Sequence, residues 1–135
     1  MFTLKWFYQL HTYLIGSGML CLIVSLYIIR YQKGNPKRIK YHKSLSILSV
    51  SFIATGVIVM FTGKQIAGFF HFTSPHTYMG AIALTLLLIT PTLAFLGLKG
   101  KRNLLNLHRW FGRVTGLLSL VVSVFGLILI LSYIS

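Results

Sequence analysis

The chain has 135 residues, 56% hydrophobic and 10% charged, with 13 Lys and Arg, no Asp or Glu and a formal net charge of +13. This composition lies outside that of ordinary soluble domains. Without carboxylates the chain has no Asp/Glu acid–base chemistry, no carboxylate metal site and no carboxylate proton relay.

The apolar residues fall in four long runs. About 20 helical residues cross a hydrocarbon core of about 30 Å, so helices are predicted near 6–30, 40–62, 75–98 and 104–133. Short connections favour antiparallel neighbours. The expected fold is all-α and integral to a membrane: an antiparallel up-down bundle of four transmembrane helices, one domain spanning 1–135.

The first run follows Lys5 and superficially resembles a secretory signal. Its apolar stretch is too long, and no clear small-residue cleavage site follows it, so it is read as a retained helix. Trp6, Phe7, Tyr8 and Tyr13 suit an interfacial aromatic belt. Cys21 is the only cysteine and forms no internal disulfide. "RYQKGNPKRIKY" (30–41) carries the turn cluster Gly34, Asn35 and Pro36 before the second helix.

"TGKQIAGFFHFTSP" (62–75) mixes Gly63 and Gly68 with Phe69, Phe70 and Phe72 and suits the outer interface. Ser74 followed by Pro75 reads as a helix N-cap with proline at the first helical position. Pro91 interrupts the third helix as a kink that membrane helices tolerate. "LKGKRN" (98–103) is a tight basic turn, with Asn103 placed to cap the fourth helix.

The cations are unevenly distributed. Arg30, Lys33, Lys37, Arg38, Lys40 and Lys43 flank the first connection, and Lys99, Lys101, Arg102, Arg109 and Arg113 flank the third. Only Lys5 and Lys64 lie elsewhere. With four crossings the two basic connections share a side, which the positive-inside rule makes cytoplasmic, and both termini are then non-cytoplasmic. Topology and attraction to anionic lipid headgroups account for the charge. No nucleic-acid-binding module is present.

His11, His42, His76 and His108 each lie near the start of a different helix. Alternating directions put His11 and His76 on the outer side and His42 and His108 on the cytoplasmic side. In an up-down bundle these are diagonal pairs, one per leaflet. Ionisable groups inside a membrane are costly and usually functional. At 3.6 residues per turn, small residues share each histidine's face: Gly18 and Ser25 with His11; Ser46, Ser49 and Gly56 with His42; Gly80, Ala83, Thr90 and Ala94 with His76; Gly112, Thr115, Ser119 and Gly126 with His108.

Close helix packing explains the small residues. A flat macrocycle between helices explains small residues and histidines together. Gly56 and Gly126 lie near the level of His11 and His76 and would give a ring room there; Ser25 and Ala94 would do so at the cytoplasmic level. Gly80 and Gly112, one turn past their histidines, would let a ring lie against backbone. Two neutral imidazoles are a common axial set for an electron-carrying iron porphyrin. Zinc is a weaker reading, because neither a thiolate cluster nor a carboxylate completes its ligand set.

The pattern resembles the haem-bearing core of the cytochrome b561 family. "KRIKYHKSLSILSVSFIATGVIVMF" is similar to the family's second core helix, with a Lys two residues before its histidine. "TSPHTYMG" resembles the S-x-H-S-W-x-G signature, with Thr77 and Tyr78 in place of Ser and Trp. "LLNLHRWFGRVTGLL" resembles the last core helix and "LHTYLIGSGMLCL", most loosely, the first. The flanking helices of six-helix members are missing, as in compact bacterial, cyanobacterial and plastid-type relatives.

The resemblance implies two b-type haems, with iron held by His11 and His76 and by His42 and His108; the looser match around His11 leaves a single haem as the variant. It implies a transmembrane oxidoreductase carrying electrons from a cytoplasmic reductant to a non-cytoplasmic acceptor. Lys40 and Arg102 match positions that hold an anionic donor such as ascorbate; a redox protein or a quinol are alternative donors. His71 is the one candidate for an acceptor-side histidine, although its spacing to His76 departs from the family pattern. The rival readings are a haem-free membrane anchor or assembly subunit of a larger complex, and a minimal transporter or channel. A homodimer or a place in a membrane complex fits either haem-bearing or haem-free reading.

Overall fold

A computed structural model describes residues 4–134. The described residues form four helices and no strand: α1 (Leu4–Tyr31), α2 (Arg38–Ile66), α3 (Pro75–Leu98) and α4 (Arg102–Ile134). All four are long and apolar enough to cross a membrane. Even the shortest, the 24 residues of α3, rises about 36 Å at 1.5 Å per residue, more than a hydrocarbon core of about 30 Å. The protein is a multi-pass integral membrane protein.

The chain divides into two units, one ending at His71 and holding α1 and α2, the other starting at Phe72 and holding α3 and α4. Each is described by itself. In the first, Gly63 lies against Phe7, Gly56 against Ile15 and Leu14, Gly18 against Ile53 and Ser49, and Ser25 meets His42 and Ser46. Partner numbers fall as α1 numbers rise, so the helices run antiparallel. In the second, His76 lies against Gly126, Gly80 faces Val122, Thr90 meets Thr115, and Gly97 lies against Leu105. That order is antiparallel too.

Small residues set both contacts. Without a hydrophobic force between helices in lipid, close van der Waals packing must hold them, and short side chains permit it. Met19, Ile53, Ser25 and Ser49 are buried in the first pair; Ala83, Leu87, Val122, Thr115 and Ser119 in the second. Large apolar side chains such as Leu20, Ile58, Leu88 and Leu117 are exposed, an arrangement suited to lipid and foreign to a water-soluble surface.

The first turn follows its residues closely. Asn35 N–H donates to the Gln32 carbonyl, and Asn35 Oδ1 accepts from Lys37 N–H at 2.9 Å, an Asx-type turn. The helices α1, α2 and α4 run slightly beyond their predicted ends, and α3 has the ends predicted for it. Phe7 seats on Gly63, and α2 continues past its predicted end to Ile66. It closes at Ala67 and at Gly68, whose φ of +72° suits glycine. Ser74 does precede α3 with Pro75 at its first position, but its hydroxyl bonds Thr77 Oγ1 at 2.9 Å instead of a backbone N–H. Asn103 lies inside the first turn of α4, which begins two residues earlier than a cap at Asn103 requires. The α3 helix passes through Pro91.

Candidate functional site

Each histidine near a helix start meets the far half of the partner helix in its own pair. His11 Nδ1 donates to the Gly56 carbonyl at 2.9 Å. His108 Nδ1 donates to the Thr90 carbonyl at 2.8 Å. His42 Nδ1 lies 2.8 Å from Ser25 Oγ and 3.2 Å from the Ser25 carbonyl. The His76 ring lies against Gly126, where an added Cβ would sit 2.7 Å from its Cε1.

The two pairs repeat one design. Seven residues after His11 comes buried Gly18 and seven further Ser25; after His76 the same steps reach buried Ala83 and then Thr90. On the partner helices, His42 leads to buried Ser49 and Gly56, and His108 to buried Thr115 and Val122. A seven-residue step keeps one face toward a neighbouring helix. In each pair, the residue two steps past the first histidine holds the second: Ser25 holds His42, and Thr90 holds His108.

Residues of the expected small-residue faces take part in these helix contacts, and none of them from Gly18 to Gly126 is exposed. Gly56 and Gly126 lie at the levels of His11 and His76. There they admit protein: a Cβ at Gly56 would be 3.1 Å from Ile15 Cδ1 and 3.2 Å from Leu14 Cβ, and one at Gly126 would run into His76. Gly80 and Gly112 are looser, with nearest atoms Val122 Cγ1 at 3.9 Å and Thr90 Cγ2 at 3.8 Å from such a Cβ.

Lys40 is exposed near the start of α2, two residues before His42, and Arg102 is the exposed first residue of α4. Both stand at the positive ends of helix dipoles, which adds to their attraction for anions. His71 is tied to the end of α2. Its ring stacks on Phe61 with centroids 3.7 Å apart, its Nε2 donates to Gln65 Oε1 at 3.0 Å, and its carbonyl accepts from Lys64 Nζ at 3.4 Å.

The donor chemistry fits an iron porphyrin. A carbonyl only accepts, so Nδ1 of His11, His42 and His108 carries the hydrogen, and in a neutral ring Nε2 then holds the lone pair that binds metal. Acceptors on the second nitrogen are the usual means of orienting a histidine ligand. Among the described residues no three His, Cys, Asp or Glu side chains gather in one place. These acceptors carry no signature of their own in the sequence. Ser25 was legible only as a small residue on the face of His11; reflection of the helix pair about a point between Lys33 and Gly34 is the signal that sets it opposite His42.

Fold and histidines together define a multi-pass membrane protein equipped with imidazoles suited to haem iron. The family described as eukaryotic cytochrome b561 matches residues 8–98, more than half of the chain, and the chain belongs to that family. It is accordingly a b-type cytochrome, binding haem b and serving transmembrane electron transfer. His11, His42 and His76 fall inside the match, and His108 follows it on α4. No curated protein and no solved structure matches the chain.

Proposed function

We propose that the chain is a dihaem cytochrome that passes electrons from a cytoplasmic reductant to an acceptor on the other side, with His11 and His76 as axial ligands of the outer haem and His42 and His108 as those of the cytoplasmic haem. The observation that supports it best is the shared anchoring of His11, His42 and His108 through Nδ1 to oxygens of the neighbouring helix. The assignment of ligands to haems rests on the order of the histidines along the chain and on the family resemblance.

When bound, haem b supplies a one-electron Fe(III)/Fe(II) couple. The chain's part is to hold neutral imidazoles, set their tautomer and keep water from the path. Gly80 and Gly112 give a ring clearance beside His76 and His108, whereas Gly56 and Gly126 let the neighbouring helix and the His76 ring approach closely. Lys40 and Arg102 draw an anionic reductant, for which ascorbate is the model, to the cytoplasmic side. His71, braced by Phe61 and Gln65, stands on the acceptor side.

Redox difference spectroscopy on the purified protein tests this reading. The expected result is a dithionite-reducible b-type spectrum with two haems per chain, partly reduced by ascorbate. A correctly folded, colourless preparation from haem-replete cells overturns it in favour of a haem-free anchor or assembly subunit.

A further inference from the structure

Ser25 is fully buried, and its hydroxyl oxygen has three partners: Ser46 Oγ at 2.7 Å, His42 Nδ1 at 2.8 Å and the His42 carbonyl at 3.1 Å. A serine hydroxyl offers one hydrogen and two lone pairs. The His42 carbonyl can only accept, so the hydrogen is committed there. Ser25 Oγ must then accept from both Ser46 Oγ and His42 Nδ1. The Ser25 carbonyl, 3.2 Å from the same Nδ1, independently requires a hydrogen on that nitrogen. Both arguments give the Nδ1–H tautomer of His42, with the lone pair on Nε2.

The other anchored histidines are held differently. His11 and His108 donate to the main-chain carbonyls of Gly56 and Thr90, which no side-chain substitution removes. His42 also meets a side-chain hydroxyl, and that hydroxyl is itself braced by Ser46, one turn beyond His42 on α2.

We propose that Ser25, braced by Ser46, is a positioning residue for His42, fixing its ring and tautomer and tuning its strength as a donor to iron. The inference rests on the reading of His42 as an axial ligand. An acceptor at Nδ1–H moves electron density toward Nε2 and strengthens the ligand. A stronger donor favours ferric over ferrous iron, so weakening this hydrogen bond raises the reduction potential of that haem alone.

The test uses the haem-loaded protein, with potentiometric titration and EPR of its ferric state. His42→Ala identifies the haem concerned. Ser25→Ala is expected to shift that haem's ferric EPR signal and to raise its midpoint by about 59 mV for one electron, an oxidation–reduction equilibrium changed about tenfold. The other haem stays as in wild type. Ser25→Thr, which keeps the hydroxyl, restores the wild-type values. Ser49→Ala, at an equally buried serine whose hydroxyl has no hydrogen-bond partner, leaves both haems unchanged.

Unaltered potentials and EPR in Ser25→Ala overturn the inference, as does an equal change in Ser49→Ala, which makes the effect one of packing. If Ser25→Ala loses the haem, recovery in Ser25→Thr supports the role and failure to recover overturns it. If His42→Ala keeps both haem signals, the ligand reading falls and takes this inference with it. If His42→Ala removes one signal while Ser25→Ala is silent, this inference falls alone.

Discussion

His11 Nδ1 donates to the carbonyl of Gly56, 45 residues further along the chain, at 2.9 Å. The bond joins the first turns of one membrane helix to the far half of the next. His108 and Thr90 repeat it in the second pair. The histidines are thereby built into the helix contacts, and ligand orientation and helix packing share the same residues.

If the histidines serve two haems, their substitutions group in a fixed way. His76→Ala and His108→Ala each lose one haem, and a His11→Ala/His76→Ala double variant loses no more than either single one. His11→Ala combined with His42→Ala loses both. Haem-to-protein ratios from pyridine haemochrome spectra check this; loss of both haems from the His11/His76 double variant contradicts the pairing.

The glycines divide by the space beside them. Gly126→Ala drives a methyl group into His76 Cε1, at 2.7 Å, and is expected to destabilise by about 1–3 kcal/mol, as overpacking does, with loss of the haem that His76 serves. Gly80→Ala meets no protein atom nearer than 3.9 Å and is expected to retain the fold, its methyl group crowding only the ring that Gly80 is proposed to clear. Thermal unfolding in detergent, followed at the haem band, separates the two.

Ser49 is fully buried, and its hydroxyl has no hydrogen-bond partner. An unsatisfied buried hydroxyl costs about 1–3 kcal/mol. Ser49→Ala is therefore expected to leave the melting temperature unchanged or raise it. A clear fall in melting temperature would reveal a bonding role for that hydroxyl.

Electrostatics predicts a division of labour on the basic side. Lys40→Gln and Arg102→Gln should raise KM for ascorbate with unchanged haem spectra, and added salt should shrink the difference between variants and wild type. Stopped-flow reduction with ascorbate and with an uncharged reductant provides the comparison. Equal slowing with both reductants would assign these cations to topology only.

Sidedness is open to direct labelling. In a Cys21→Ser background, Gly34→Cys should react with an impermeant maleimide from the cytoplasmic side and Phe70→Cys from the opposite side. The reverse pattern would invert the proposed direction of electron flow.

Much of the fold was legible because membranes impose simple rules. Four apolar runs of spanning length, turn residues between them and the absence of acids point to four helices, and their predicted ends lie within a few residues of those observed. The errors have local causes. The second helix is predicted to end near 62 but continues to Ile66 with Gly63 against Phe7, and Asn103 falls inside α4 because the helix starts at Arg102. The histidines stood out because polar groups are expensive in lipid. Their hydrogen-bond partners did not, because three of the four acceptor oxygens named are main-chain carbonyls, which every residue possesses.

Sequence alone determined the spanning helices, the uneven charge and the placing of a histidine near each helix start, since these follow from transfer energies and helical period. Tertiary structure decided which oxygen each anchored imidazole meets. Gly56 and Thr90 act through backbone exposed by close antiparallel packing, and Ser25 acts through a hydroxyl whose one hydrogen is committed to His42's own carbonyl. Such assignments depend on register and on distances of about 3 Å, and only the packed helices set them.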